Sequence, residues 1–285
     1  MTDLAAARRF VLGHARLLER RRLAHLLGTG SPGAVVDALA AYRNDDHGFG
    51  ALEPDLRTDS SQTAPTLYAL GILHEAGAGD SPLAAGALDW LATVANDDGG
   101  VPFVLPSAGD APRAPWFAIA DDPPSSLLIT AGLAAMAHRL GLDHPWLGGA
   151  TAYCWERLRD VPLGEAYTLR YVLDLLDAVP DREPADAELD LLAERFPADG
   201  VLPVDAGAEG EVLRALDVAP RPDHAARRLF PDALIEGELD ALAAGQRDDG
   251  GWDFTWLAWN PAAAFESRGM VSVEALRTLR AYGRL

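Results

Sequence analysis

Four acidic turns recur along this 285-residue chain, and their spacing constrains its architecture more than any other feature. They read Asn44-Asp45-Asp46-His47-Gly48-Phe49, Asn96-Asp97-Asp98-Gly99-Gly100-Val101, Ala198-Asp199-Gly200-Val201 and Arg247-Asp248-Asp249-Gly250-Gly251-Trp252. Counted on the last aspartate of each, they lie 52, 101 and 50 residues apart. The double interval implies one degenerate turn, for which Asp160-Val161-Pro162-Leu163-Gly164 is the candidate. A repeat of about 50 residues with helical sequence between the turns describes an array built from one helical unit.

Between the turns, apolar residues return at helical spacing. Leu67, Leu70, Leu73 and His74 share one stripe; Leu83, Ala87, Trp90, Leu91 and Val94 share another. Ser31-Pro32, Asp80-Ser81-Pro82, Pro123-Pro124-Ser125 and Phe230-Pro231 mark starts, and Gly77, Gly141 and Gly245 mark stops. The pattern predicts helices over 3–27 (with room for a break), 31–43, 62–76, 81–95, 124–140, 145–159, 164–178, 184–195, 207–217, 232–245 and 269–283. A twelfth follows if 223–229 is helical. Strand signals are nearly absent, so the expected class is all-α. Almost six helical hairpins suit a closed α/α toroid, read here as one domain over 1–285. Val271, Val273, Leu276 and Leu279 give the last helix an apolar face, which suits packing on the N-terminal helix better than capping an open array.

Composition narrows function by exclusion. The formal net charge is −19, and all 24 basic residues are arginine. Without lysine there is no Schiff base, phosphate-loop lysine or lysine general base. Such acidity also opposes nucleic-acid binding, which needs a positive surface. No apolar run reaches the ~18 residues of a transmembrane helix. The start of the chain lacks a signal-peptide pattern, and the lone Cys154 suits a reducing compartment, so a cytoplasmic location is expected. Ser-nucleophile elbow, nucleotide-loop and metal-ligand spacings are missing, so neither cofactor nor metal is expected.

The turns have a structural role of their own. Glycine permits the chain reversal, aspartate accepts backbone amides, and the next apolar residue plugs the gap between hairpins. The alternative, a divalent-metal or diphosphate site, requires turns set around a ring to converge on one ion. The fourth turn extends to Gln246-Arg247-Asp248-Asp249-Gly250-Gly251-Trp252. It resembles the QW repeat of squalene and oxidosqualene cyclases and the DGG turns of protein prenyltransferase β subunits. That resemblance implies an α/α toroid with an apolar central cavity that handles isoprenoid chains. The stretch Gly48 to Arg57, followed by Asp59-Ser60-Ser61-Gln62, resembles a signature of an uncharacterised bacterial branch of the same superfamily. Three departures stand against the familiar reactions. No DxDD tetrad occurs. The doublets Asp45-Asp46, Asp97-Asp98, Asp121-Asp122 and Asp248-Asp249 lack the third acid of DDxxD. Ala152 stands where the prenyltransferase zinc site needs an aspartate before Cys154.

Two constellations are candidates for chemistry. In the first, Glu53, Asp55 and Asp59 are candidate catalytic acids, with Arg57 and the nearby His47 as substrate-binding partners. An acid at the mouth of an apolar cavity keeps its proton through desolvation and can donate it to an alkene or epoxide. The competing reading makes Asp59 and Ser60 caps of the 62–76 helix, and Glu53 and Arg57 a surface pair. In the second, Trp252, Trp256 and Trp259 supply aromatic faces for a cation or an apolar chain, or plug the ring where it closes. Glu266 and Arg268 follow, either as further binding groups or as a charge pair at the next helix start. The irregular segment 106–124, carrying Trp116, is a candidate lid. Acid-initiated cyclisation or isomerisation of an isoprenoid or other apolar substrate is the leading reading. A non-catalytic lipid carrier and a carbohydrate-active α/α barrel are the alternatives, and the lining of the cavity discriminates between them.

Overall fold

The computed structural model describes residues 2–205 and 207–285. Local signals account for most helix starts. Helix α1 (Leu4–His14) begins where Asp3 accepts the Ala6 N–H, and α2 (Leu17–Leu26) follows a break at Ala15-Arg16. Serine caps followed by proline begin α3 (Pro32–Ala40) and α5 (Pro82–Val94). Then come α4 (Thr63–Glu75), α6 (Leu127–Arg139), α7 (Pro145–Arg157), α8 (Ala166–Ala178), α9 (Arg182–Ala193), the single turn α10 (Ala215–Val218), α11 (Asp232–Ala244) and α12 (Pro261–Ala281).

Three expectations are corrected. The segment 207–217 is mostly not helical: β1 (Leu202–Pro203) pairs antiparallel with β2 (Val212–Leu213). Gly210 at φ +79° and Glu211, whose carboxylate accepts the Ala208 N–H at 2.8 Å, turn the chain between them. Residues 225–229 form a short 3-10 stretch. The last helix starts at Pro261 rather than 269, because Asn260 caps it by accepting the Ala263 N–H at 2.9 Å.

The helices form two concentric layers. Around the inner one, α4 packs on α6, α6 on α8, α8 on α10, and α12 on α2; α1, α3, α5, α7, α9 and α11 lie outside. Helices α6 and α8 approach most closely, since any side chain at Gly132 would strike Leu67 and Tyr171. The ring closes at its seam, where α12 packs on both α1 and α2. There the Asp3 N–H donates to Gln246 Oε1 at 2.7 Å, and Gln246 Nε2 returns a bond to the Asp3 carbonyl at 2.9 Å. Phe10 lies against Gly251. The main apolar core draws residues from Ala7 through Leu279, and a smaller one joins Leu56 to Val104, Ala108, Ala114 and Phe117.

The turns are built alike. The second aspartate of each doublet accepts a backbone N–H two residues on: Asp46 from Gly48, Asp98 from Gly100 and Asp249 from Gly251, at 3.0 to 3.1 Å. Ser61 and Ser125 donate to Asp46 and Asp98 at 2.6 Å, while Arg268 takes that place at Asp249. The plug residue then binds the next inner helix: the N–H groups of Phe49, Val101 and Trp252 donate to Thr66, Thr130 and Ser272 hydroxyls. Each turn thus positions the helix that lines the ring. No helix among the described residues is long and apolar enough to cross a membrane.

Candidate functional site

Every inner helix must bury most of its surface, yet three keep one stripe partly open to water. On α4 it runs Ala64, Tyr68, Gly71, Glu75; on α8 Tyr167, Arg170, Tyr171, Asp174; on α12 Glu266, Met270, Glu274, Arg277. This spacing is a single helix face. The faces converge. Arg22 of α2 forks onto Glu75 at 2.6 and 2.9 Å, donates to Tyr68 at 2.6 Å and pairs with Glu274. Arg277 bridges Glu75 and Glu274, each at 2.7 Å. Protein surrounds Glu274, but 46% of its side chain remains accessible to water. A methyl group on Gly71 would meet nothing within 4 Å. The centre of the ring therefore holds a hollow, and its wall is charged over much of α8 and α12. The expected apolar lining is corrected here: those helices turn their polar stripes inward.

Glu53 stands at the mouth. Buried Leu52, Pro54 and Leu56 anchor its loop. Arg16 holds it by donating to the Leu52 carbonyl at 2.7 Å while forking onto Glu19. Glu53 Oε1 accepts the Asp55 N–H at 3.2 Å, and the carboxyl lies close enough to Tyr171 across the ring to act on it electrostatically. Burial, helped by the charge of Asp55, pushes Glu53 up to about 7 against the pull of the Asp55 N–H and Arg16. Burial also pushes Asp55 up to about 6, opposed by the Trp259 indole, which donates to Asp55 Oδ1 at 2.8 Å, and by Arg57.

The remaining predicted residues divide. Arg57 forks onto Glu266 at 2.8 and 3.2 Å, joining two of them at the mouth. Glu53 and Arg57 are thus not a surface pair. Asp59 is exposed, and α4 has no side-chain cap, so neither Asp59 nor Ser60 caps it. His47 is exposed on the outer layer, left-handed at φ 76° where the three other turns have glycine, with its ring against Gly86 of α5. Trp252 is a buried plug whose indole donates to the Leu242 carbonyl at 2.8 Å; Trp256 packs on Phe254; only Trp259 reaches the acids. Arg268 leaves Glu266 for Asp249 and Asp253 on the other side of α12, so the two are not a pair. Trp116 is 40% exposed. Its segment covers the Glu53 loop through Ala114 N–H to Asp55 O and Arg57 N–H to Pro112 O.

At the far end of the hollow, Arg139 lies between Asp174 and Asp177 at 2.6 and 2.9 Å. His74 leaves its predicted apolar stripe and is exposed there; burial, then Arg139, Arg221 and Arg277, pushes it down to about 4. Burial pushes the Cys154 thiol up to about 12, which removes it as a nucleophile at neutral pH. Two shallow surface clefts, one bordered by His224, Arg228 and Tyr282 and one by Gln246, Asp249 and Arg268, lie outside the inner stripes. No group of His, Cys, Asp and Glu among the described residues is arranged to hold a metal ion. Sequence reasoning missed Arg16, Arg22, Tyr68, Glu75, Arg170, Tyr171, Glu274 and Arg277. A polar stripe has the same period whether it faces solvent or a hollow, so no pattern marks them.

No protein-family model matches the chain, and no curated protein does. Solved structures do. A protein from Actinoplanes is 20% identical with a TM-score of 0.57, covering 97% of this chain and 89% of its own. Type II terpene cyclase MstE from Scytonema, in complex with its product merosterolic acid A, is 15% identical with a TM-score of 0.56, covering 98% and 87%. The same cyclase with its substrate, geranylgeranyl dihydroxybenzoate, is 15% identical with a TM-score of 0.51, covering 96% and 87%. At these identities the likeness is one of fold: the chain shares an α/α toroid with these structures.

Proposed function

We propose that this chain is an acid-initiated cyclase or isomerase of amphiphilic isoprenoids, with Glu53 as the proton donor at the mouth of the ring hollow. One observation carries the reading: Glu53 and Asp55 lie side by side in a largely buried loop, Glu53 Oε1 accepting the Asp55 N–H at 3.2 Å, and burial pushes the two carboxyls up to about 7 and about 6. Near neutral pH one of the pair holds a proton and the other is charged, the division of labour that acid–base chemistry needs. Trp259 and Arg57 keep Asp55 the more acidic of the two.

An acid this weak cannot protonate an isolated alkene at a useful rate, but it suits an oxygen such as an epoxide or carbonyl. The step then balances. The Glu53 proton passes to the oxygen, the C–O bond opens or polarises, an internal alkene attacks the electron-poor carbon, and a carboxylate of the pair takes up the proton lost from the final cation. Substrate and product are isomers. Tyr68 and Tyr171 supply aromatic faces along the path, each already beside a guanidinium at 5.4 and 5.6 Å. The mixed wall favours a substrate with a polar part as well as an isoprenoid chain. The substrate in the MstE complex joins those two parts, which supports the choice.

A second reading draws on the wall alone: charged, hydroxyl-bearing walls with paired carboxylates also suit carbohydrate processing. Incubation of the purified chain with prenylated arene epoxides and with oligosaccharides, followed by mass spectrometry, separates them. The expected outcome is an isobaric product from the epoxide, reduced at least ~100-fold in Glu53→Gln and unaffected by Asp59→Asn. Wild-type turnover by Glu53→Gln would sink the proposal. An unchanged lipid recovered from the wild type would favour a carrier.

A further inference from the structure

Among the described residues, one guanidinium on the hollow has no carboxylate partner. Arg16, Arg22, Arg57, Arg139 and Arg277 each have a carboxylate within 2.6 to 2.8 Å, namely on Glu19, Glu75, Glu266, Asp174 and Glu274. Arg170 lies in the same wall, one residue before Tyr171 on the inward stripe of α8. Among the described residues it has no hydrogen bond and no ion pair; its guanidinium stands 5.6 Å from the centre of the Tyr171 ring. The carboxylates that influence it from further off are engaged elsewhere. Asp174 is bound by Arg139, Glu274 by Arg22 and Arg277, and Asp217 by the Arg214 N–H at 2.8 Å.

A guanidinium carries five N–H donors and cannot give up its charge; Arg170, walled by protein on its other sides and partly open on one, can satisfy them only from the adjoining space. The space adjoining Arg170 is the hollow. We infer that Arg170 is the anchor for a single carboxylate group on the ligand of the ring. The planar fork matches the two oxygens of a carboxylate. One unpaired positive charge balances one negative charge. A phosphate or diphosphate would bring a second or third, held within range of Asp174, Asp217 and Glu274 with no further free cation among the described residues of the wall to oppose it. The inference rests on the hollow being the ligand site, as in the reading above, and not on Glu53 being the acid.

Isothermal titration of the full chain with farnesoic acid, farnesol and farnesyl monophosphate tests it, since the three differ only at the head group. Wild type should bind farnesoic acid at least ~10-fold more tightly than farnesol, the worth of one charge-assisted contact. Arg170→Gln should bring the two to equal affinity, Arg170→Lys should keep part of the preference, and Glu53→Gln should keep all of it. Absence of binding, equal affinities in the wild type, a preference that survives Arg170→Gln, or tighter binding of the monophosphate would each overturn the assignment. The wild-type comparison and Arg170→Lys decide the matter if Arg170→Gln does not fold. Normal turnover by Glu53→Gln together with an Arg170-dependent carboxylate preference would remove the acid mechanism and leave the anchor standing.

Discussion

At the scale of single residues, the mouth of the ring makes the protein's stability depend on pH in an unusual direction. The folded pKa of Glu53, about 7, lies above its ordinary value of 4.5, and Asp55 is raised in the same sense from 3.8 to about 6. The folded state therefore holds more protons than the unfolded one between roughly pH 4 and 7. The stabilisation is complete below that window and is lost as pH rises through it. The Glu53 contribution is up to about 3 kcal/mol. Carboxylates held low, such as Asp174, act in the opposite sense only below their ordinary range, but His74, pushed from 6.5 down to about 4, opposes Glu53 between those two values. Thermal melts from pH 5 to 8 should show Glu53→Gln losing less stability than the wild type as pH rises, by up to about 3 kcal/mol; equal slopes in the two would remove Glu53 as a source of the dependence. Trp259→Phe deletes the indole bond that restrains Asp55, so the Asp55 carboxyl should titrate above 6 by carbon-detected NMR. A cluster of acids before an apolar helix was legible in the chain itself. Which of Glu53, Asp55 and Asp59 points inward was not, because neighbouring side chains on a loop take their directions from what packs on the loop, here Arg16, Trp259 and the 112–114 segment.

Among elements, the repeated turn is the part that local chemistry explains most fully. Its bonds span two residues within the turn and reach one hydroxyl on the following segment, so aspartate, glycine and serine at fixed places record them directly. The two aspartates of a doublet are not equivalent. Asp98 accepts from Gly100 and Ser125, whereas exposed Asp97 makes no side-chain bond among the described residues. Asp98→Ala should cost about 1–2 kcal/mol in urea unfolding, and Asp97→Ala within about 0.5 kcal/mol of nothing; equal costs would refute the staple. His47 takes the left-handed position that Gly99, Gly200 and Gly250 occupy in the other turns. His47→Gly should therefore be neutral or stabilising by up to about 1 kcal/mol despite the loss of its contact with Gly86. Where several weak signals competed, sequence reasoning failed. Alanines and leucines in 207–217 have helical spacing, but Gly207 and Gly210 break it, and Asn260-Pro261 is a cap and first-turn proline that sets the start of α12.

For the whole molecule, closure is the decisive event, and it is concentrated at the seam between α1 and α12. Phe10 fills it, lying against Gly251 with Arg268 4.6 Å from its ring centre. Phe10→Ala should cost about 3–5 kcal/mol and raise amide exchange in α12 as well as α1; faster exchange in α1 alone would mean that the seam does not hold the ring shut. The chain by itself determined the repeat of the acidic turns and the all-α class, because helix periodicity, glycine reversals and aspartate caps act over a few residues. It also determined that some helices have polar stripes. Only the tertiary structure decided that the stripes of α8 and α12 face inward, that Arg170 is left without a carboxylate and that Glu53 meets the hollow. Periodicity records which face of a helix is polar; what lies opposite that face depends on helices far away in sequence and on the ring being closed.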